Sequence, residues 1–288
     1  AFFSLNANFI YVLRLSNPFA GSKECLDVTL AHRTQWQGLE GAPVTTYGSF
    51  HTTFKQDKFG LGYKHAIGAV ILRDSYGPFA RTKLKAAYSY HLPMTKKILL
   101  SMGMFIGIEQ FNFDAGKITL INYNDNAIDN SRTVGIFPEI TPGFVMQSDK
   151  WFAGGTIQQA LGRDIRAVKN EENKLSRHAT LLGGLNLRHK KFGIIPSVLL
   201  KFSKAAPIAM DVSVMADYNN KFSVGVGYRS ADAVTAYANF NLLNYFRIGY
   251  GFDYTLSKLR YGSNNTHEVI LTIIPCGTRE PGKYACYF

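Results

Sequence analysis

Chemistry in this chain would have to come from its histidines, its cysteines or its charged residues, so their types and spacing come first. His32, His51, His65, His91, His178, His189 and His267 are scattered through the 288 residues. None forms the HExxH pair that sets two imidazoles around zinc on one helix face. Cys25, Cys276 and Cys286 make no CxxC pair, so a thiolate zinc site has no support. There is no GxSxG elbow, no P-loop and no GxGxxG opening a helix. Gly225-Val226-Gly227 lies inside an alternating run, where small residues relieve crowding or let a strand bend. No nucleophile–base grouping is legible, so the expected protein is not an enzyme, and no cofactor or metal is expected.

The charged residues are more regular. Arg33, Arg81, Lys83, Lys85, Glu109, Arg188, Asp211, Asp217, Arg229, Asp253 and Glu268 each occupy the polar position of a run that alternates with apolar residues. Both signs are present, as a salt-bridged interior would require. The sharper reading is a site for a polypeptide or ligand. Arg33, Trp36, Arg81, Glu109, Arg229, Asp253 and Glu268 are the expected lumen-facing residues of structural or functional weight.

The elements that position them are strands. Successive strand side chains point to opposite faces, whereas a helix repeats every 3.6 residues. Leu26, Val28 and Leu30 alternate with Asp27 and Thr29 in a first strand at about 24–33, and Thr45–Phe54 and Leu61–Leu72 follow. Leu84, Ala86, Tyr88 and Tyr90 oppose Arg81, Lys83, Lys85, Ser89 and His91. Ile98, Leu100, Met102, Met104, Ile106 and Ile108 form an unbroken apolar face. Further runs lie at 137–145, 151–158, 178–188 and 195–202. The last third repeats the pattern at 208–216, 222–229, 234–240, 246–253 and 268–273. The fold class is therefore all-β, a transmembrane antiparallel outer-membrane β-barrel of about 14 strands.

Composition agrees. Hydrophobic residues make up 46% of the chain and the mean hydropathy is -0.06. No apolar run reaches the roughly 18 residues of a membrane helix, but alternating barrel strands average out to neutral. Tyr63, Trp151, Tyr218, Tyr228, Tyr250 and Tyr254 fit an interfacial girdle. The net charge of +12 favours acidic partners or phosphate-rich lipid heads. It is spread along the chain with no basic arm, which argues against nucleic acid. The start at Ala1, without Met or a basic leader, is what a mature exported protein or a trimmed chain would show.

The connections alternate too. Gln56–Lys58, Pro93–Lys97, Ser148–Lys150, His189–Lys191, Asn219–Lys221 and Asn241–Asn244 are short and often basic. Those between them, including Trp36–Val44, Asp114–Gly135, Leu161–Arg177 and Leu256–Thr266, are longer. Outer-membrane barrels segregate periplasmic turns from surface loops in this way. Both chain ends then fall on the periplasmic rim, where the first and last strands adjoin and all three cysteines gather. One disulfide is expected there, Cys276–Cys286 ahead of a bond from Cys25, with three separate thiols as the alternative. The expected parts are an N-terminal segment at 1–23 (plug, short helix or turn), the barrel at 24–275 and a periplasmic tail at 276–288.

Ordered short motifs then resemble one family. Asn17-Pro18-Phe19-Ala20-Gly21, Arg33-Thr34-Gln35-Trp36 with Glu40-Gly41-Ala42-Pro43, and Asp74-Ser75-Tyr76-Gly77-Pro78-Phe79 are similar to segments of the PorP/SprF outer-membrane proteins. Tyr88–His91, Pro196-Ser197, Tyr228-Arg229, Gly249–Tyr254 and His267-Glu268 follow in the same order. Phe19, where the family usually has Ala, and the tail beyond Cys276 depart from the pattern. The resemblance implies a non-enzymatic component of the type IX secretion and gliding machinery in the bacterial outer membrane. Its implied partners are periplasmic ring and lipoprotein components, the C-terminal domain of a secreted surface protein, and outer-membrane lipids. The alternative is an outer-membrane pore or transporter for small or hydrophobic molecules.

Overall fold

The computed structural model describes residues 26–55, 64–117, 133–162, 164–165, 173–174, 177–203, 206–243 and 245–275. The segment 1–23, the Asn17–Gly21 motif, Tyr63, the three cysteines and the tail at 276–288 lie outside the described residues.

The chain runs through β1 (Asp27–Thr34), β2 (Val44–Lys55), β3 (Lys64–Tyr76), β4 (Phe79–Pro93), β5 (Leu99–Phe113), β6 (Thr133–Gln147) and β7 (Trp151–Gln158). The short pair β8 (Asp164–Ile165) and β9 (Asn173–Lys174) forms its own two-stranded sheet. Then come β10 (His178–Leu185), β11 (Leu187–His189), β12 (Phe192–Ser203), β13 (Ala206–Tyr218), β14 (Phe222–Arg229), β15 (Ala233–Leu242), β16 (Phe246–Thr255) and β17 (Thr266–Ile273). β11 continues β10 past Asn186, and both pair with β12. Each barrel strand is antiparallel to its neighbours, and β1 pairs with β17 from Val28↔Ile273 to Thr34↔His267. The result is a closed antiparallel barrel of 14 strands.

Alternation sorts the two faces. Leu30, Ile71, Leu84, Ile106, Val226 and Val269 stand exposed on the outside, as side chains bathed in lipid would. Aromatic pairs such as Phe192–Tyr218, with ring centroids 4.8 Å apart, and Phe222–Phe240 mark the end of the band beside the short basic turns. Tyr228 and Tyr254 mark the other end on β14 and β16. Among the described residues no helix is long and apolar enough to cross a membrane, so the crossing is made by strands alone.

The strands β3, β5 and β6 run past the bounds that alternation suggests, to Tyr76, Phe113 and back to Thr133. Beyond Leu72 and Ile108 the outward positions turn polar, at Arg73, Gln110 and Asn112. The ladder continues where the apolar signal ends, because hydrogen bonding does not require a lipid neighbour. The turn rule also needs adjustment. The turns after β4, β6, β11 and β13 are short and basic, whereas the β15–β16 turn on the same rim exposes Leu243 and Tyr245. On the opposite rim, however, β3 passes to β4 through Gly77-Pro78 alone, and β14 to β15 through residues 230–232. Gly77 supplies the positive φ of 53° that this tight reversal needs.

Inside, Ala31, Tyr47 and Ile270 share one buried cluster with Val145, Phe152, Leu182, Ile195, Leu199 and Met215. The first group sits on β1, β2 and β17, the second on β6, β7, β10, β12 and β13. β10 lies half-way round the ring from β1 in either direction, so the cluster joins opposite walls across the lumen. Glycines make room for it. A Cβ at Gly225 would lie 2.2 Å from the ring of Tyr237, which packs against the cluster.

β6 outreaches β7. It has 15 residues against 8, and pairs with β7 only from Gly143 to Gln147. Ala160 N–H donates to the Ile140 carbonyl at 3.1 Å, which shows that the even-numbered residues turn their backbone groups to this side. Pro138 and Pro142 have no N–H to offer there. The groups of Val134 and Ile136 meet no partner among the described residues.

Candidate functional site

Two belts of charge line the interior. The first straddles the closing seam. Arg33 on β1 faces Glu268 on β17 in direct register, and Nη1 donates to Oε2 at 3.1 Å. Its Nη2 donates to Asp253 Oδ2 on β16 at 2.7 Å. The same oxygen accepts from Arg229 Nη1 on β14 at 3.1 Å. Arg229 also pairs with Asp232 at 3.1 Å and with Asp211 on β13 at 3.6 Å, and Asp211 receives Lys201 Nζ from β12 at 2.9 Å. Cations and carboxylates thus form one connected chain of ion pairs along the wall from β1 to β12. The side chains of Arg33, Asp253, Glu268 and Arg229 are only 1–5% exposed. Isolated charges so deeply buried would be costly, and each here has an opposite charge within bonding reach.

The second belt lies on β4, β5 and β6. Glu109 lies 3.8 Å from Arg81 and 3.5 Å from Lys83. Glu139 lies 3.6 Å from Lys83 and 2.6 Å from Lys85. Gln159 donates to Glu109 at 3.2 Å, and Thr141 to Glu139. Lys85 also stands 5.8 Å from the Phe105 ring. A Cβ at Gly107 would meet the Leu84 carbonyl at 2.0 Å, so glycine is what lets β4 and β5 approach this closely.

Four of the motifs each place a charged residue in the first belt. Arg33 comes from Arg33-Thr34-Gln35-Trp36, Arg229 from Tyr228-Arg229, Asp253 from Gly249–Tyr254 and Glu268 from His267-Glu268; Arg33 and Glu268 are 235 residues apart. Trp36 is buried at the head of the β1–β2 loop with a φ of 48°, its N–H donating to Thr266 Oγ1. The loop is tied along the rim by Gln37, whose N–H donates to the Asn265 carbonyl and whose carbonyl accepts from Asn264 N–H. It is also tied by Gly77 N–H to Gly41 carbonyl at 2.8 Å, which joins two further motifs. Asp74 accepts from Thr45 at 2.7 Å, and His91 shares a hydrogen bond with Ser101. Arg188 pairs separately with Asp217 near the basic rim. Reading from sequence passed over Glu139, Asp232 and Lys201. Glu139 does alternate with Pro138 and Ile140. Lys201, however, follows the apolar inward residues Ile195 and Leu199, so period two alone does not single it out.

Among the described residues no cluster of His, Cys, Asp and Glu is arranged to hold a metal ion. The paired charges neutralise one another, and what they do chemically is bind strand to strand.

A closed barrel with an apolar outer band, aromatic rims and a charged, packed interior is an outer-membrane protein. The model of the type IX secretion system membrane protein PorP/SprF matches residues 5–273, and the chain belongs to that family. No curated protein matches it. Among solved structures it is similar to the Ralstonia pickettii toluene transporter TbuX, at 10% identity and a TM-score of 0.57, covering 91% of this chain and 92% of that one. It is also similar to the P. putida toluene transporter TodX, at 11% identity and a TM-score of 0.50, covering 89% and 91%. At these identities the likeness concerns the fold alone.

Proposed function

We propose that this chain is a non-enzymatic interaction barrel of the type IX secretion and gliding machinery. It docks periplasmic ring components at one rim and an extended segment of a secreted surface protein's C-terminal domain at the other. The observation that carries the reading is the contrast between the rims. The four neighbouring turns after β4, β6, β11 and β13 expose Lys96, Lys97, Lys150, Lys190, Lys191 and Lys221, with Asp149 the one exposed acid in the described part of those turns. Such a one-signed arc steers and holds an acidic partner. On the opposite rim the edge of β6 offers the backbone of Val134 and Ile136, the latter 62% exposed. An open strand edge accepts an extended peptide by strand addition.

The reading is tested by pull-down from detergent extract of cells carrying a tagged chain. Recovery of secretion components or surface-protein C-terminal domains is expected, and a partner-free barrel would overturn it. A pore for small molecules remains the second reading, favoured by the width of a 14-stranded barrel. The apolar cluster joining opposite walls weighs against it. Steady open channels in a planar bilayer would reverse that judgement.

A further inference from the structure

The outward face of β1–β5 differs from the rest of the lipid belt at its surface end. Along β3 the outward positions read His65, Ile67, Ala69, Ile71 and then Arg73. Arg73 therefore follows the apolar span where β14 places Tyr228, after Phe222, Val224 and Val226. Arg73 is exposed, and no carboxylate pairs with it among the described residues. The adjacent Asp74 points inward to Thr45. In the ladder Arg73 is flanked by Thr46 on β2 and Thr82 on β4. His32 on β1 lies beyond Thr46, with Nδ1 and Thr46 Oγ1 2.9 Å apart, and Gln110 lies beyond Thr82. Directly below are Leu30, Ile71, Leu84 and Ile108, 45–54% exposed. A guanidinium bordered by hydroxyls, above an apolar strip, matches a phosphate whose acyl chains lie along that strip. Arginine holds phosphate through a fork of N–H donors.

We infer that Arg73, with Thr46, Thr82 and His32, forms a binding site for the phosphate of a phosphorylated glycolipid in the outer leaflet. The side on which the long loops lie places this end of β3 at the cell surface, the leaflet where such lipids reside. The site anchors the barrel in a fixed rotational setting, with its β1–β5 wall against the glycolipid.

The test uses the full chain purified from its own outer membrane in mild detergent, with native mass spectrometry of retained lipid. Wild type should retain phosphorylated glycolipid, Arg73→Lys should retain part of it, and Arg73→Ala should lose at least about tenfold, on the scale of one charge-assisted contact. Each variant is first checked for its folded, heat-modifiable form. The lipid-free barrel is then placed in nanodiscs with phosphorylated lipid A, dephosphorylated lipid A or phosphatidylglycerol. Stabilisation by the first alone supports the site. Equal retention by Arg73→Ala, or equal stabilisation by dephosphorylated lipid A, overturns it. Equal stabilisation by phosphatidylglycerol overturns the assignment to the glycolipid. If Arg73→Ala and Arg73→Lys both fail to fold, wild type in the three nanodiscs still decides between these outcomes.

Discussion

The two charge belts look alike in composition and differ in what they connect. The seam belt joins residues from the two ends of the chain, with its closest pairs at 2.7–3.1 Å and side chains nearly excluded from solvent. The β4–β6 belt joins strands that follow one another directly. Most of its pairs lie at 3.5–3.8 Å, and its cations are 10–12% exposed; only Lys85–Glu139 is short. β4 and β5 find their register through the tight turn at 94–98, and β6 follows β5 directly in the chain, so the second belt adds to pairing between strands close in sequence. β1 and β17 have no turn between them. Their register must be set by side chains, and a one-residue slip would turn Arg33 out to the lipid. The seam belt is thus the part of the interior that specifies closure.

The largest expected effect follows from removing the carboxylate that two arginines share. Asp253→Ala would leave Arg33 and Arg229 buried and under-compensated, and breaking a buried pair costs about 3–5 kcal/mol. Urea unfolding in detergent and the temperature at which the folded band converts on unboiled gels should both report the loss. A change below about 1 kcal/mol would mean that water or a partner already solvates this belt.

Next comes the Arg33–Glu268 contact across the seam. Arg33→Met and Glu268→Gln should each lower the fraction of chain assembled in cells before partner affinity changes in the barrels that do form. The double variant should cost less than the sum, with coupling of about 0.5–3 kcal/mol as expected for contacting residues. Strict additivity would break the claim that this pair sets the register. Normal assembly with lost partner binding would move Arg33 from the scaffold to a recognition site.

Much of this was legible because a barrel in a membrane makes alternation obligatory. At Leu84–Tyr90 or Phe222–Arg229 every second residue meets lipid, and composition reports it. Legibility ended where that pressure ends. The extensions of β3 and β5 carry polar outward residues, Arg73, Gln110 and Asn112, so those strands read as loops; that of β6 keeps apolar Val134 and Ile136 outward, beside Pro138, which a strand interior disfavours. The sequence showed which charges face inward, but the pairing of Arg33 with both Asp253 and Glu268 depends on shear and register, which no local pattern carries. The cross-lumen cluster was hidden for a related reason. Val145, Leu182 and Leu199 occupy inward positions that alternation marks as polar, and they become core only because the opposite wall brings Tyr47 and Ile270 to them.

A smaller effect is expected in the β4–β6 belt. Glu139→Gln keeps the shape and the Thr141 contact while removing the charge that Lys83 and Lys85 share. A loss of about 1–3 kcal/mol is expected from the weakened charge-assisted bonds, in the same urea titration. A loss equal to that of Asp253→Ala would erase the distinction between the belts, because it would give a pair between strands close in sequence the same weight as the closing seam.

The smallest effect on stability should come from charges that touch neither belt. Lys96, Lys97, Lys190 and Lys191 are exposed at turn tips, so changing all four to Glu should leave urea unfolding nearly unaltered, each exposed site contributing within about 0.5 kcal/mol. The same change should abolish capture of periplasmic components, and wild-type capture should fall as salt is raised, since the Debye length shrinks from about 10 Å at 0.1 M to about 3 Å at 1 M. Stability and binding then separate cleanly: interior charge holds the barrel shut, and rim charge recruits. If capture survives both reversal and salt, the basic rim is only a solvated border, and the contact with the rest of the machinery must be sought at the edge of β6 that meets no partner among the described residues.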